Sequence, residues 1–171
     1  MTIAINDKSY DARKTAVRNL TDQKLLADIA VNDKSIHVRR AALEKLTDHS
    51  LAQKLYFDEA VNKENHSVHR YNALSGITDQ ELLFEIIQRS LTIYDSFDVC
   101  EKAINKLTCR DMLTKIINGG EEYFLKWEEF MGHGPFGNED VWEPQEADLR
   151  DIARKRLNEL MLLKLENKKN E

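Results

Sequence analysis

Apolar residues in the first 118 positions recur at helical spacing, in blocks that close on Leu-Thr-Asp or a near variant of it. Ahead of one such site, Val38, Ala42, Leu43 and Leu46 form a stripe at i, i+4, i+5 and i+8. Behind another, Leu25, Leu26, Ile29 and Ala30 form a second stripe. Each block therefore predicts a helix, a tight turn and a second helix. The pattern places helix pairs at about 9–20 and 22–31, 35–46 and 48–61, 66–77 and 79–92, and 97–107 and 110–118.

The blocks are copies of one another. Val31 to Asp48, VNDKSIHVRRAALEKLTD, echoes Ile5 to Asp22, INDKSYDARKTAVRNLTD. Val61 to Asp79 repeats the plan with more drift, and Asp98 to Cys109 repeats its second half. The equivalent turn positions Asp22, Asp48, Asp79 and Cys109 are spaced by 26, 31 and 30 residues. Four extra residues between Asp48 and Asn62 are about one helical turn, so the second helix there can lengthen and keep its buried face. The Thr and Asp of each turn are suited to capping the second helix, and Thr78 with Glu81 fits a capping box. Asn-Asp-Lys-Ser reads as the turn into the next pair. Ile3-Ala4-Ile5 matches Ile29-Ala30-Val31, the end of a second helix.

The strings VRRAALEKLTD, HRYNALSGITD and VCEKAINKLTC resemble the bacterial HEAT-like repeats, including the short kind found in relatives of the phycobilin lyases. The resemblance covers residues 3–118, although its units are shorter than the ~40–47 residues usual for HEAT and armadillo repeats. It implies an all-α, right-handed α-solenoid of about four helix pairs. It implies little about activity, because solenoids host many functions.

After Gly119-Gly120 the repeat stops, dividing the chain into an array at 1–118 and a cap at 119–171. Tyr123, Phe124, Trp127, Phe130 and Met131 fall on one face of a predicted short helix. Gly132 to Gly137 (GHGPFG) breaks it, and an irregular stretch is expected as far as Pro144. The last predicted helix, about 145–166, places Leu149, Ile152, Ala153, Leu157, Leu160 and Met161 on its buried face, as a solenoid cap requires.

Charge sharpens this picture. Residues 1–118 carry 17 acidic and 17 basic side chains, and residues 119–148 carry nine acidic against the single Lys126. The tail from Leu149 has seven basic and four acidic. A balanced array followed by an acidic segment lacks the basic footprint that phosphates demand, so no nucleic-acid partner is expected. No apolar run reaches the ~20 residues that span a bilayer. With no basic-then-apolar leader and only Cys100 and Cys109, a reduced cytoplasmic setting is expected.

Candidate chemistry is sparse. His66 and His69 lie three apart without an accompanying metal-ligand pattern, and the His–Glu pairs of the HEAT-repeat hydroxylases are missing. Cys109 stands beside Arg110 where other units carry Asp, but the sequence offers it no positioned base. Neither Gly119-Gly120 nor GHGPFG has the strand and the GKS or GKT of a phosphate loop. Arg13, Arg39 and Arg70, with Asp7 and Asp33, recur at repeat spacing and are expected to form a structural ladder. No catalytic residue, cofactor or metal is expected.

The reading is a non-enzymatic protein-interaction module, with a protein partner that the acidic segment would favour as basic. One alternative is an inhibitor or immunity-type protein that blocks a basic partner. Another, a nucleic-acid binder, is similar to the alkylpurine DNA glycosylases built from HEAT-like repeats. Candidate partner-binding residues fall in two groups. Gln23, Lys24, Asp28, His49, Gln53, Gln80 and Glu81 lie on the second helices, and His133, Phe136, Glu139, Asp140 and Trp142 lie in the aromatic, acidic stretch.

Overall fold

The computed structural model describes residues 6–92, 97–133 and 140–169, with side chains described up to Gly120, at 122–123 and over 148–167. The Ile3-Ala4-Ile5 match lies outside the described residues. Eight helices follow one another: α1 Tyr10–Arg18, α2 Gln23–Asn32, α3 Ile36–Leu43, α4 His49–Val61, α5 Ser67–Ala73, α6 Gln80–Ser90, α7 Phe97–Lys106 and α8 Arg110–Ile117. After a short 3-10 turn come β1 Phe124–His133, β2 Asp140–Asp148 and the long α9 Leu149–Lys169.

The fold class is all-α, and its buried interior is made by helices and the turns between them. Alternate helices pack, α1 with α3, α4 with α6 and α5 with α7, while α2 lies against α3 and α6 against α7. The apolar stripes meet in two core clusters. Val17, Leu26, Val38, Ala42 and Leu43 centre the first, and Leu74, Leu83, Ile86, Ile104 and Leu113 centre the second. Tyr56 packs against both. Gly76 makes room for it, since a Cβ there would lie 2.2 Å from the Tyr56 ring.

The turns carry out the capping that their sequence promised, by a different atom in one case. Asp22 accepts from the backbone N–H groups of Lys24 and Leu25, Asp48 from Leu51, and Asp79 from Glu81 and Leu82. These satisfy donors that the first helical turn leaves open. The Thr78–Glu81 capping box does not form, because Asp79 is the N-cap and the Thr78 hydroxyl is taken by Gln53. In the turns between pairs, Asp7 accepts from Ser9 N–H and Asp33 from Ser35 N–H, as Asx turns do.

The segment after Gly120 departs from expectation. The short helix predicted over 123–131 is a β-strand, and the stretch up to Pro144 is partly its partner. β1 and β2 pair antiparallel from Phe124↔Asp148 to His133↔Asp140, with an irregularity between Phe130 and Gly132. The aromatic spacing 124–127–130 keeps to one face of a helix, whereas a strand alternates these positions between its two faces, so periodicity alone pointed to a helix. It does not weigh that Phe124, Trp127 and Phe130 also suit a pleated strand, and no β-branched residue before Val141 announces one.

α9 caps the array: Leu149 and Ala153 are fully buried, and Ile152, Leu157 and Leu160 pack on the second core cluster. The Arg156 guanidinium donates to the Leu107 carbonyl at 3.0 Å, fixing the helix over the end of α7. Met161 is not on the buried face as expected. It is exposed with Leu162, Leu163 and Leu165, because the helix runs past the last unit it covers.

Candidate interaction surface

The polar residues at the starts of the second helices lie one behind another, and three of them form a ladder. Gln23 at the first position of α2 accepts from the backbone N–H of Thr47 at 2.8 Å and donates to the Lys45 carbonyl. Gln80 at the first position of α6 accepts from Thr108 and Cys109 N–H. Gln53 sits one turn further into α4 and reaches the equivalent turn of the next unit. Its carbonyl accepts from Thr78 and Asp79 N–H, and its amide donates to Gly76 O and the Thr78 hydroxyl. Each glutamine thus clamps the turn of the following unit. Lys24, Asp28, His49 and Glu81 are exposed on the same side, with Asp28 accepting from Asn32 at 2.8 Å.

A second ladder runs through the arginines of the first helices. Arg13 pairs with Asp33, Arg39 with Glu59, and the Arg70 guanidinium donates to the Ser90 hydroxyl. In each case the partner lies twenty residues onward, at the end of the second helix. Arg13 and Arg39 also donate to the backbone carbonyls of Asp7 and Asp33, six residues before them, so the expected ladder works through main-chain oxygens as well as carboxylates. Lysines make a third series. Lys45 donates to Arg18 O and Lys106 to Leu74 O, each placing a cation at the carbonyl end of a preceding first helix.

Sequence reading missed one joint of the arginine ladder. Glu59, 8% exposed, lies between Arg39 and Arg40, each 3.4 Å away. Its Oε1 is buried without a hydrogen-bond partner among the described residues. The Arg40 guanidinium donates to the His69 carbonyl. His69 in turn meets His37 edge to face at 6.1 Å, and His37 meets Tyr10 at 5.7 Å. Burial, helped by the charge of Arg40, holds the His69 pKa below its usual value. A signal was present: His69 stands one residue before Arg70, where Val38 precedes Arg39 and Val99 precedes Cys100. On the far side of Glu59 lies a cavity of about 280 Å³.

The hairpin holds His133 and Asp140 as the pair that ends its ladder, with Trp142 opposite Phe130. Phe136 and Glu139 lie outside the described residues. The pairing brings Glu128, Glu129, Asp140, Glu143, Glu146 and Asp148 onto two paired strands, joined to the array beside the start of α9. At that junction Asp148 receives the Arg150 guanidinium on both oxygens, at 2.7 Å each, which holds its carboxyl below the usual carboxylate range. Among the described residues no group of three or more His, Cys, Asp or Glu side chains is placed to hold a metal ion. No described helix is long and apolar enough to cross a membrane.

Comparison of the chain with protein-family models, with curated proteins and with solved structures gave no match.

Proposed function

We propose that this chain is a non-enzymatic, cytoplasmic protein-interaction module. In this reading it is a right-handed α-solenoid of about four HEAT-like helix pairs, and it captures a basic protein partner through its acidic hairpin. The solenoid part is supported by three hydrogen-bond ladders that recur from unit to unit. The observation that carries the partner class is the charge of residues 119–148, nine acidic against one basic, six of the acidic ones lying on the two paired strands. Such a concentration of one sign steers a partner of the other and speeds its encounter at low salt. An inhibitor or immunity-type role is the special case in which that partner is an enzyme with a basic rim.

The ladders also weigh on where the partner docks. Gln23, Gln53 and Gln80 spend their amides on neighbouring turns, which leaves the second-helix side fewer groups to offer. A nucleic-acid role gains little support: Lys102 and Lys106, on the first-helix side, give their ammonium groups to Tyr71 O, Leu74 O and the Ser75 hydroxyl.

The test replaces 133–142 by a Gly/Ser linker, changes Glu128, Glu129, Glu143 and Glu146 to Gln in the same chain, and asks for partner capture from the native host, read by mass spectrometry. The helical circular-dichroism signal is expected to stay and the capture to vanish, with the intact chain losing partner as salt rises. Full retention of capture by the folded variant would move the site to the repeat surface.

A further inference from the structure

The cavity beside Glu59 has the makings of a binding site. Its apolar wall is Ala30, Val31 and Leu55, and its polar side is Arg39, Asp58 and Glu59. Asn62 and Asn65 close the end, with Asn65 held in place by donating to the Glu59 carbonyl at 3.0 Å. The equivalent position one unit earlier shows what a closed joint looks like. There Arg13 meets Asp33 through two hydrogen bonds of 2.8 and 3.0 Å, with no gap between them. In the second unit the same pair is drawn apart to 3.4 Å, and Glu59 Oε1 accepts no hydrogen bond although it is buried. A carboxylate oxygen removed from water and left unbonded carries a desolvation cost that a bound donor would remove.

We infer that this cavity is a pocket for a lysine side chain of the partner, the ammonium bonding Glu59 Oε1 and the Asp58 carboxylate. Arg39 lines the cavity and Arg40 stands 3.4 Å from Glu59 Oε2, so the charges of the joint balance; what the lining offers a cation is the Glu59 Oε1 that accepts no hydrogen bond and the carboxylate of the exposed Asp58. The four-carbon stem would lie along Ala30, Val31 and Leu55, and about 280 Å³ admits a lysine side chain with water beside it. An ammonium is the better fit than a guanidinium, because Arg39 already stands 3.4 Å from Oε1 without hydrogen-bonding it, and a compact donor needs less room beside it than a second planar group. The inference deepens the reading of a basic partner and places one of its residues on the array, away from the hairpin.

The probe is N-acetyl-lysine methylamide, with the norleucine analogue as its ammonium-free control. Both are titrated into the full chain, and the methyl signals of Val31 and Leu55 and the side-chain amides of Asn62 and Asn65 are followed by NMR. Saturable shifts confined to these groups are expected with the lysine probe, with a Kd on the order of 1 mM for one side chain. The norleucine analogue should leave them in place. Glu59→Gln should weaken binding roughly tenfold, as loss of a charge-assisted bond does. Should that variant unfold, Val31→Phe fills the mouth from an exposed position and must abolish the shifts on its own. Equal shifts from both probes, or binding that survives Val31→Phe, would overturn the pocket, as would a flat titration. The chain with 133–142 replaced should bind the probe normally, so failure of the hairpin reading and failure of the pocket are seen separately.

Discussion

Arg13 and Asp33, twenty residues apart, close the first helix pair with two parallel hydrogen bonds, Nε to Oδ2 at 2.8 Å and Nη2 to Oδ1 at 3.0 Å. The arginine also holds the carbonyls of Asp7 and Lys8, so one side chain ties the turn before the pair to the turn after it. The arrangement has a consequence for acid stability. The Arg13 guanidinium holds the Asp33 carboxyl below its usual pKa of 3.8. The unfolded chain then takes up that proton first, so the contribution is complete above about pH 4 and is lost as pH falls through the folded-state value. Asp33→Asn is expected to lower the melting temperature by several degrees at pH 7 and to make the acid limb of the stability curve shallower. A parallel shift with no change of slope would contradict the pairing.

His69 gives the opposite half of the pH range. Its side chain faces Arg40, His37 and His66, which disfavour a proton, and Glu59, which favours one; burial is the largest influence, and the pKa is lowered. The unfolded chain therefore binds the proton first near pH 6.5, and stability falls as pH drops below that value toward the folded-state pKa. His69→Val installs the residue type that the second and fourth units already carry at this position. Denaturant melts between about pH 5 and pH 8 should show a flatter profile for the variant, with no loss at the alkaline end. A steeper profile would mean that the protonated imidazole is the stabilising form.

The glutamine ladder separates structure from binding. Gln53→Ala removes two bonds to backbone N–H groups, one to Gly76 O and one to the Thr78 hydroxyl. Net hydrogen bonds near the surface are modest, so the expected loss is about 1–2 kcal/mol in urea unfolding. Lys24→Ala, on the same side and exposed, should change stability by less than about 0.5 kcal/mol. Equal effects would mean that Gln53 does not carry the joint.

Much of this was legible in the sequence, and the reasons differ from one feature to the next. Helix pairs announced themselves because Val38, Ala42, Leu43 and Leu46 are spaced for one face, and all four are buried. The arginine series was visible from recurrence alone. Its partners were not, because they change chemistry from Asp33 to Glu59 to Ser90 while their distance in the chain stays at twenty. The bonds of Gln23, Gln53 and Gln80 were not visible, because each amide reaches a turn more than twenty residues onward. The hairpin was hidden by aromatics whose spacing also suits a helix, and whose strand character rests on pairing with residues 12 to 24 positions away. Glu59 carried no local signal: that its Oε1 accepts no hydrogen bond is a property of the joint between two units.

The fourth unit offers a repair. Cys109 stands at the N-cap of α8 with φ −75° and ψ 112°, and its side chain makes no capping bond. The three preceding second helices begin with Asp22, Asp48 and Asp79 at φ −68°, −76° and −63° and ψ 108°, 93° and 124°, and each accepts at least one N–H of the first turn. The backbone at Cys109 is thus already set for an aspartate, and substitution asks for no rearrangement. Cys109→Asp should stabilise the chain by roughly 0.5–2 kcal/mol, the usual range for gaining such a cap. The carboxylate also meets the positive end of the α8 dipole. Cys109→Ala is the control, since it removes the thiol and supplies no acceptor. Calorimetry at pH 7 should rank Asp above Cys and Cys level with or above Ala. The gain should disappear near pH 3, where the added carboxyl is protonated. An aspartate variant no more stable than the alanine one would show that the fourth unit does not share the capping geometry of the other three.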